Sequence, residues 1–277
     1  MCSPLLIWHD GVHMASERSW RVFLGPILLL FICFLIYLFR YPLWYSLLFV
    51  EQIFVMLILS YSAVLILALF LLKKDSKKSL SSLFKADSHS MILVGMIFTL
   101  LYLGLWYLLS FVIGSRFEFT SFPSLRGYEN YDVYSIPLAF VLNVVFSVFG
   151  AFAEEVAYRG YVQTRISLRY GYVVGIFVAT LFFSLQHVHV FQLSYIEVFF
   201  QTQFVHVLLF GIFVGYLFFK SKENIWSIFS FHALLNIFSV SVPIAVTTAF
   251  PFANQFAEIA SFTAMILLLR YLVKSGQ

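Results

Sequence analysis

The chain has 277 residues, of which 62% are hydrophobic and only 11% charged, and its formal net charge is +4. A soluble domain carries about 25% charged residues, so most of this surface is not suited to water and a soluble globular protein is excluded. Apolar runs of about 20 residues recur along the chain, and each is long enough to cross a hydrocarbon core about 30 Å thick. The runs are apolar on all faces, which favours helices over an outer-membrane barrel.

These runs predict an all-α fold, a polytopic transmembrane helical bundle of about eight spans. The predicted spans cover residues 22–39, 52–72, 91–114, 136–160, 171–190, 196–219, 225–246 and 253–272. Residues 115–135 form the long polar connection after the third span, and we expect them to be an interfacial loop on the outer side. Met14 opens a Met-Ala-Ser-Glu-Arg segment, so both Met1 and Met14 are candidate start residues.

Basic residues predict the orientation of the bundle. With a cytoplasmic N-terminus, 14 of the 17 Lys and Arg residues fall on the cytoplasmic side, against Arg40, Arg116 and Arg126 on the other side. This bias predicts cytoplasmic termini and an integral multi-pass protein, surrounded by lipid, in the plasma (cytoplasmic) membrane. The net charge is thus explained by topology, and no nucleic-acid partner is expected. Cys2 and Cys33 form no disulfide or metal pattern.

Two adjacent glutamates, Glu154 and Glu155, lie in the fourth predicted span. An ionised side chain at mid-bilayer costs about 2.5–3.5 kcal/mol, so a pair of them indicates a function. Arg159 is four residues after Glu155 and is predicted to form an ion pair with it. Glu154 points about 100° away on the helix and is expected to be left free. The alternative is that both glutamates lie at headgroup level and are simply solvated.

Polar residues in the later spans are predicted to meet Glu154. A turn near residues 170–171 puts Glu154 and His187 each about 16 residues from it, and therefore at one depth. His232 and Asn236 are four residues apart on one face of the seventh span. Intramembrane His and Asn usually meet a polar partner within the bundle, although hydrogen bonds to neighbouring helices alone are the alternative. His206 is interpreted as structural or peripheral.

A carboxylate with two histidines supports hydrolysis in two ways. The glutamate deprotonates a water that one histidine orients, while the other histidine and the amide stabilise an oxyanion. Alternatively, Glu154, His187 and His232 bind Zn²⁺, whose water attacks the substrate. Sequence spacing does not separate these mechanisms, because both use the same atoms.

Three motifs then resemble one family. They are Glu-Glu-x-x-x-Arg at 154–159, Phe-x-x-x-His at 183–187 and His-x-x-x-Asn at 232–236. In this order, on membrane helices, they are similar to the motifs of the CAAX prenyl proteases and bacteriocin-processing enzymes, and the resemblance covers roughly residues 136–246.

The resemblance implies an intramembrane endopeptidase that hydrolyses a lipidated or helical peptide or protein. It implies that Glu154 activates water, that His187 orients the water, and that His232 and Asn236 form the oxyanion site. Glu155 and Arg159 would support the site. No cofactor is required in this interpretation, and Zn²⁺ is the alternative.

The predicted organisation has three parts. Residues 1–135 hold spans one to three with the outer loop, residues 136–246 form the catalytic core, and residues 247–277 form the C-terminal span. The basic connection at 161–170 favours a site that faces the cytoplasm.

Two other classes of function compete with the endopeptidase. A proton-coupled membrane transporter would use the same Glu and His as a relay, but the spans lack evident inverted repeats. A non-enzymatic immunity or scaffold protein of the same fold would tolerate loss of the polar set, which is intact here. The motifs do not separate prenylated proteins from small secreted peptides as substrates.

Overall fold

The computed structural model describes residues 21–44, 60–75, 83–84, 87–119, 136–188, 196, 199–200, 203–241, 244–247 and 252–275. Its helices are α1 (Arg21–Trp44), α2 (Ser62–Asp75), α3 (Ser88–Val112), α4 (Ile136–Glu155), α5 (Thr164–Tyr170), α6 (Tyr172–Gln186), α7 (Phe204–Lys220), α8 (Ile225–Ser241) and α9 (Ala253–Ser275). A π-helix (Val156–Gln163) joins α4 to α5, and two short strands, β1 (Arg116–Phe119) and β2 (Ile244–Thr247), pair with each other.

The predicted helical membrane fold is confirmed in its coarse form. Among the described residues, three helical segments are long and apolar enough to cross a membrane, namely Ser88–Val112, Phe140–Tyr170 and Ala253–Leu272. Shorter apolar helices occupy four of the other predicted spans: Arg21–Ile36, Tyr172–Gln186, Phe204–Lys220 and Ile225–Ser239. Residues 52–59, the first part of the predicted second span, lie outside the described residues. The total of eight spans and the cytoplasmic termini remain predictions.

The fourth predicted span is longer than its sequence indicates. We expected it to end at residue 160 and to be followed by a connection at 161–170. Instead, α4, the π-helix and α5 continue as one helical segment to Tyr170. The chain turns at Gly171, whose φ of 85° favours glycine because a Cβ is strained there. Polar residues such as Gln163 and Thr164 are buried rather than exposed in this extension, which hydropathy alone does not predict.

A small antiparallel sheet departs from the all-helical prediction. Arg116 pairs with Thr247 and Phe119 with Ile244, so the start of the predicted 115–135 loop is a strand. Residues 120–135 lie outside the described residues. The partner strands are far apart in sequence, and pairing over such a distance depends on how the helices between them pack.

Small residues allow close approach between helices. On α3, Gly95 lies against Ser227 and Ser230 of α8, and Thr99 donates a hydrogen bond to the Phe231 carbonyl at 3.2 Å. Between α6 and α7, Gly211 lies against Thr180. Membrane helices associate through such small-residue contacts because lipid supplies no hydrophobic drive between them.

Basic side chains gather at one end of the bundle, which we call the basic end. Lys73 and Lys74 are in the last turn of α2, Arg169 in that of α5 and Lys220 in that of α7. The Arg165 guanidinium donates to the Val22 carbonyl at 3.0 Å, which ties α5 to the start of α1 at this end.

We expect Gly95→Ala to lower the free energy of unfolding by about 1–3 kcal/mol, the usual cost of overpacking. An added Cβ would overlap the Ser230 hydroxyl and the backbone carbonyl of Ser227, and the backbone atom has little room to move. Gly104→Ala on the same helix is the matched control, because nothing lies within 4 Å of its Cβ position. Unfolding in mixed detergent micelles measures both; equal stability of the two variants would contradict the close packing of α3 on α8.

Candidate active site

Both glutamates of the first motif are buried at the end of α4. Glu154 is 4% exposed and Glu155 is 0% exposed, and the π-helix begins at the next residue. The interpretation that both are solvated at headgroup level is therefore wrong. π-Helical turns are rare in proteins, but those that occur are often found at functional sites. The pattern of apolar residues in the sequence does not predict the π-helix seen here.

Glu155 forms the centre of a buried network. Its Oε1 lies 3.4 Å from Nη1 of Arg159, so the predicted ion pair is present, and Arg159 is also fully buried. The same oxygen lies 2.7 Å from Nδ1 of His232 on α8. A carboxylate only accepts hydrogen bonds, so Nδ1 of His232 is the donor. This contact joins the first motif to the third.

Arg159 joins the first motif to the second. Its guanidinium carbon lies 4.5 Å above the ring of Phe183 and 5.8 Å from that of Phe210. Nη2 also donates to the Gly211 carbonyl at 3.5 Å. A desolvated guanidinium over an aromatic face is stabilised by the ring quadrupole. Phe183, the aromatic residue of the Phe-x-x-x-His motif, thus packs against the guanidinium of Arg159.

Glu154 is not left free, which corrects the expectation from helix geometry. Its Oε1 accepts a hydrogen bond from Nε2 of Gln186 at 3.0 Å. Its Oε2 lies 3.7 Å from Nε2 of His232. The Tyr158 hydroxyl in turn donates to the side-chain carbonyl of Gln186. One carboxylate oxygen is therefore held by an amide, while the other faces an imidazole.

The contact with Gln186 also tests the predicted depth. Gln186 immediately precedes His187, so Glu154 and this end of α6 lie at one level, as the distance from the Gly171 turn predicts. The Nδ1 atom of His187 donates to the Phe183 carbonyl at 2.8 Å. In a neutral ring this leaves Nε2 as an acceptor.

A cavity of about 400 Å³ adjoins these residues. It brings together His187, His232 and Asn236, one predicted site residue from the second motif and both from the third. The rest of its wall is mainly apolar and aromatic: Tyr102, Leu103, Trp106, Tyr107, Phe183, Val207, Phe210, Leu235 and Phe238. A concave apolar pocket with a few converging polar groups is the usual form of a ligand site.

The cavity lies away from the basic end. His187 follows the last residue of α6, which starts at Tyr172 beside the Gly171 turn. At about 1.5 Å per residue, His187 is about 22 Å from that start. Glu258 of the cavity wall is likewise near the start of α9, far from Arg270. The cavity is thus at the other end of α6 from the Gly171 turn, and the prediction that the site faces the cytoplasm stays a prediction.

Four polar residues here were not predicted as part of the site: Gln186, His206, Ser239 and Glu258. Gln186 holds Glu154, and its position beside His187 was the available signal. His206, interpreted as peripheral, lines the cavity together with Glu258 and Ser239. Glu258 is the only acidic residue of the last predicted span, a signal that was present but not used.

The zinc ligand set is not assembled in this structure. Among the described residues, no group of three or more His, Cys, Asp and Glu side chains is positioned to hold a metal ion. The Nδ1 atom of His232 is bound to Glu155, which leaves its Nε2 atom on the side of Glu154.

Together these features define a helical membrane protein with a polar site enclosed beside an aromatic cavity. Residues 136–238 match the family model for type II CAAX prenyl endopeptidase Rce1-like proteins. This match confirms the resemblance indicated by the three motifs, and the family is one of peptidases. A search of curated proteins found no match to the chain.

We expect Glu155→Ala to lower the free energy of unfolding by about 3–5 kcal/mol, since it leaves a buried guanidinium unpaired. Glu155→Gln keeps an acceptor for His232 and should cost less. Glu118→Ala is the control, because this carboxylate on β1 is exposed. Detergent unfolding measures all three, and a Glu155→Ala protein as stable as wild type would exclude this network as the anchor of the site.

Proposed function

We propose that the protein is an intramembrane endopeptidase that hydrolyses a peptide bond with water activated by Glu154. The observation that carries this proposal is the position of Glu154: buried, with one oxygen held by Gln186 and the other facing His232 beside the cavity. The family match over residues 136–238 supports the same class of enzyme.

Glu154 acts first as a general base. Its Oε2 takes a proton from a water that Nε2 of His187 orients, and the hydroxide attacks the substrate carbonyl carbon. The protonated Glu154 then gives this proton to the leaving amine nitrogen, so protons balance over the cycle. Gln186 keeps Oε1 occupied and so directs the chemistry to Oε2.

His232 and Asn236 stabilise the oxyanion of the tetrahedral intermediate. Glu155 holds Nδ1 of His232 at 2.7 Å, which fixes the ring with Nε2 on the side of Glu154. When both of its ring nitrogens carry a proton, His232 donates from Nε2 to the oxyanion, and the Asn236 amide supplies a second donor. Fixed donors cost little reorganisation when charge develops, which is why such sites accelerate acyl transfer.

The substrate is a lipidated or helical peptide that enters from the bilayer. Apolar and aromatic side chains form most of the cavity wall, and they suit a lipid chain or apolar residues. We place the protein, as a multi-pass protein with cytoplasmic termini, in the plasma membrane. With the basic end cytoplasmic, the cavity lies in the outer half of the bundle, which favours substrates of the outer leaflet.

We expect Glu154→Gln to reduce cleavage by at least about 10²-fold, the usual contribution of a general base. The variant should remain folded, because an amide has nearly the same shape. The measurement compares peptide termini in membrane fractions from cells with wild-type and variant protein. Glu118→Gln is the matched control and should cleave like wild type. Unchanged termini in the Glu154→Gln cells would refute the peptidase; proteoliposome uptake dependent on Glu154 would favour a transporter.

We expect cleavage by the purified protein to be unaffected by 1,10-phenanthroline and EDTA. The proposed chemistry uses only Glu154, His187, His232 and Asn236, so removal of a metal takes away no catalytic group. Activity is measured on one substrate before and after dialysis against chelator. A loss that zinc restores would instead support the alternative in which Glu154, His187 and His232 bind Zn²⁺.

A further inference from the structure

A second polar pair lies on the cavity wall, apart from the three motifs. His206 is in the first turn of α7 and Glu258 is near the start of α9, beyond the part of the chain that matches the family model. Their side chains are 34% and 15% exposed, and both line the cavity. Part of each side chain therefore faces the cavity.

The Glu258 carboxylate makes only a long contact with His206. The Nδ1 atom of His206 lies 3.4 Å from Oε1 of Glu258, longer than a well-formed hydrogen bond. Among the described residues, the buried Oε2 of Glu258 has no hydrogen-bond partner. The described residues that line the cavity include no lysine or arginine. This end of the cavity thus has an acidic group without a strong cationic partner.

The surroundings of the pair are aromatic. The centroid of the His206 ring lies 6.3 Å from that of Phe210, on which it stacks, and 5.9 Å from that of Phe262. The ring centroid of Tyr102 lies 4.5 Å from that of Phe262. A carboxylate among aromatic faces suits a cation, because ring quadrupoles and the negative charge both attract it.

We propose that Glu258, beside His206, forms a subsite that binds a basic side chain of the peptide substrate. This inference rests on the proposed peptidase function, because that function makes a peptide the ligand. Binding of the peptide can nevertheless be measured without its cleavage. Lysine and arginine fit the subsite because they reach along apolar walls with the stem and place the charge at the tip.

The distance to the catalytic groups sets the position of that side chain. The centroids of His206 and His232 lie 6.3 Å and 4.7 Å from that of Phe210, so the two imidazoles are at most about 11 Å apart. An extended peptide advances about 3.3 Å per residue, which makes this span about three residues. The recognised basic residue is therefore close in sequence to the bond that is cleaved.

Binding of synthetic peptides tests the subsite independently of cleavage. The probes are fluorescent apolar 20-residue peptides with a single central Lys, Gln or Glu, added to full-length protein in phosphatidylcholine nanodiscs. We expect wild type to bind the Lys peptide at least tenfold more tightly than the Gln peptide, and the Glu peptide most weakly. Equal affinities would overturn the proposal, and this comparison needs no variant to fold.

Variants assign the preference to Glu258. Glu258→Gln should bind the Lys and Gln peptides equally, Glu258→Asp should keep part of the preference, and the exposed Glu118→Gln control should behave like wild type. A preference that survives in folded Glu258→Gln would overturn the assignment. Cleavage of the same peptides is measured separately. A binding preference for lysine without cleavage would refute the peptidase function and support the subsite. Cleavage without a binding preference for lysine would support the peptidase function and refute the subsite.

Discussion

The burial of two adjacent carboxylates is the constraint on which the rest of this site depends. Glu154 and Glu155 lie where water does not solvate them, and an unpaired buried charge costs several kcal/mol. The chain compensates Glu155 with Arg159 and His232, and Glu154 with Gln186. Gln186 lies on α6 and His232 on α8, so the two carboxylates fix the positions of these helices relative to α4.

This constraint gives physical meaning to the three motifs. Arg159 balances Glu155 and rests on the ring of Phe183, whose carbonyl accepts a hydrogen bond from His187. His232 is oriented by the same Glu155 oxygen that faces Arg159. Glu155, Arg159 and His232 are thus parts of one network, and the loss of Glu155 would leave buried polar groups of the other two unsatisfied. The Glu258 end of the cavity lies outside this network and is therefore available for substrate recognition.

Particular residues show how far sequence reasoning reached. Helical spacing gave the Glu155 and Arg159 pair and the common depth of Glu154 and His187, because both are local or counted from one turn. Helical spacing did not predict the hydrogen bond from Gln186 to Glu154 or the contact of His232 with Glu155. Both contacts depend on which faces of α4, α6 and α8 are turned toward one another. Hydropathy likewise did not predict the strands or the π-helix, which arise from long-range pairing and local packing.

The sequence by itself determined that the chain is a helical membrane protein with the motifs of a peptidase family. It did so because a chain with only 11% charged residues has too few of them for a water-exposed surface. The motifs are likewise read from residue type, spacing and order, all of which the sequence contains. Only the tertiary structure decided that Glu154 lies between Gln186 and the imidazole of His232, and that His206 and Glu258 share the cavity. Those facts depend on contacts between helices distant in sequence, which packing alone establishes.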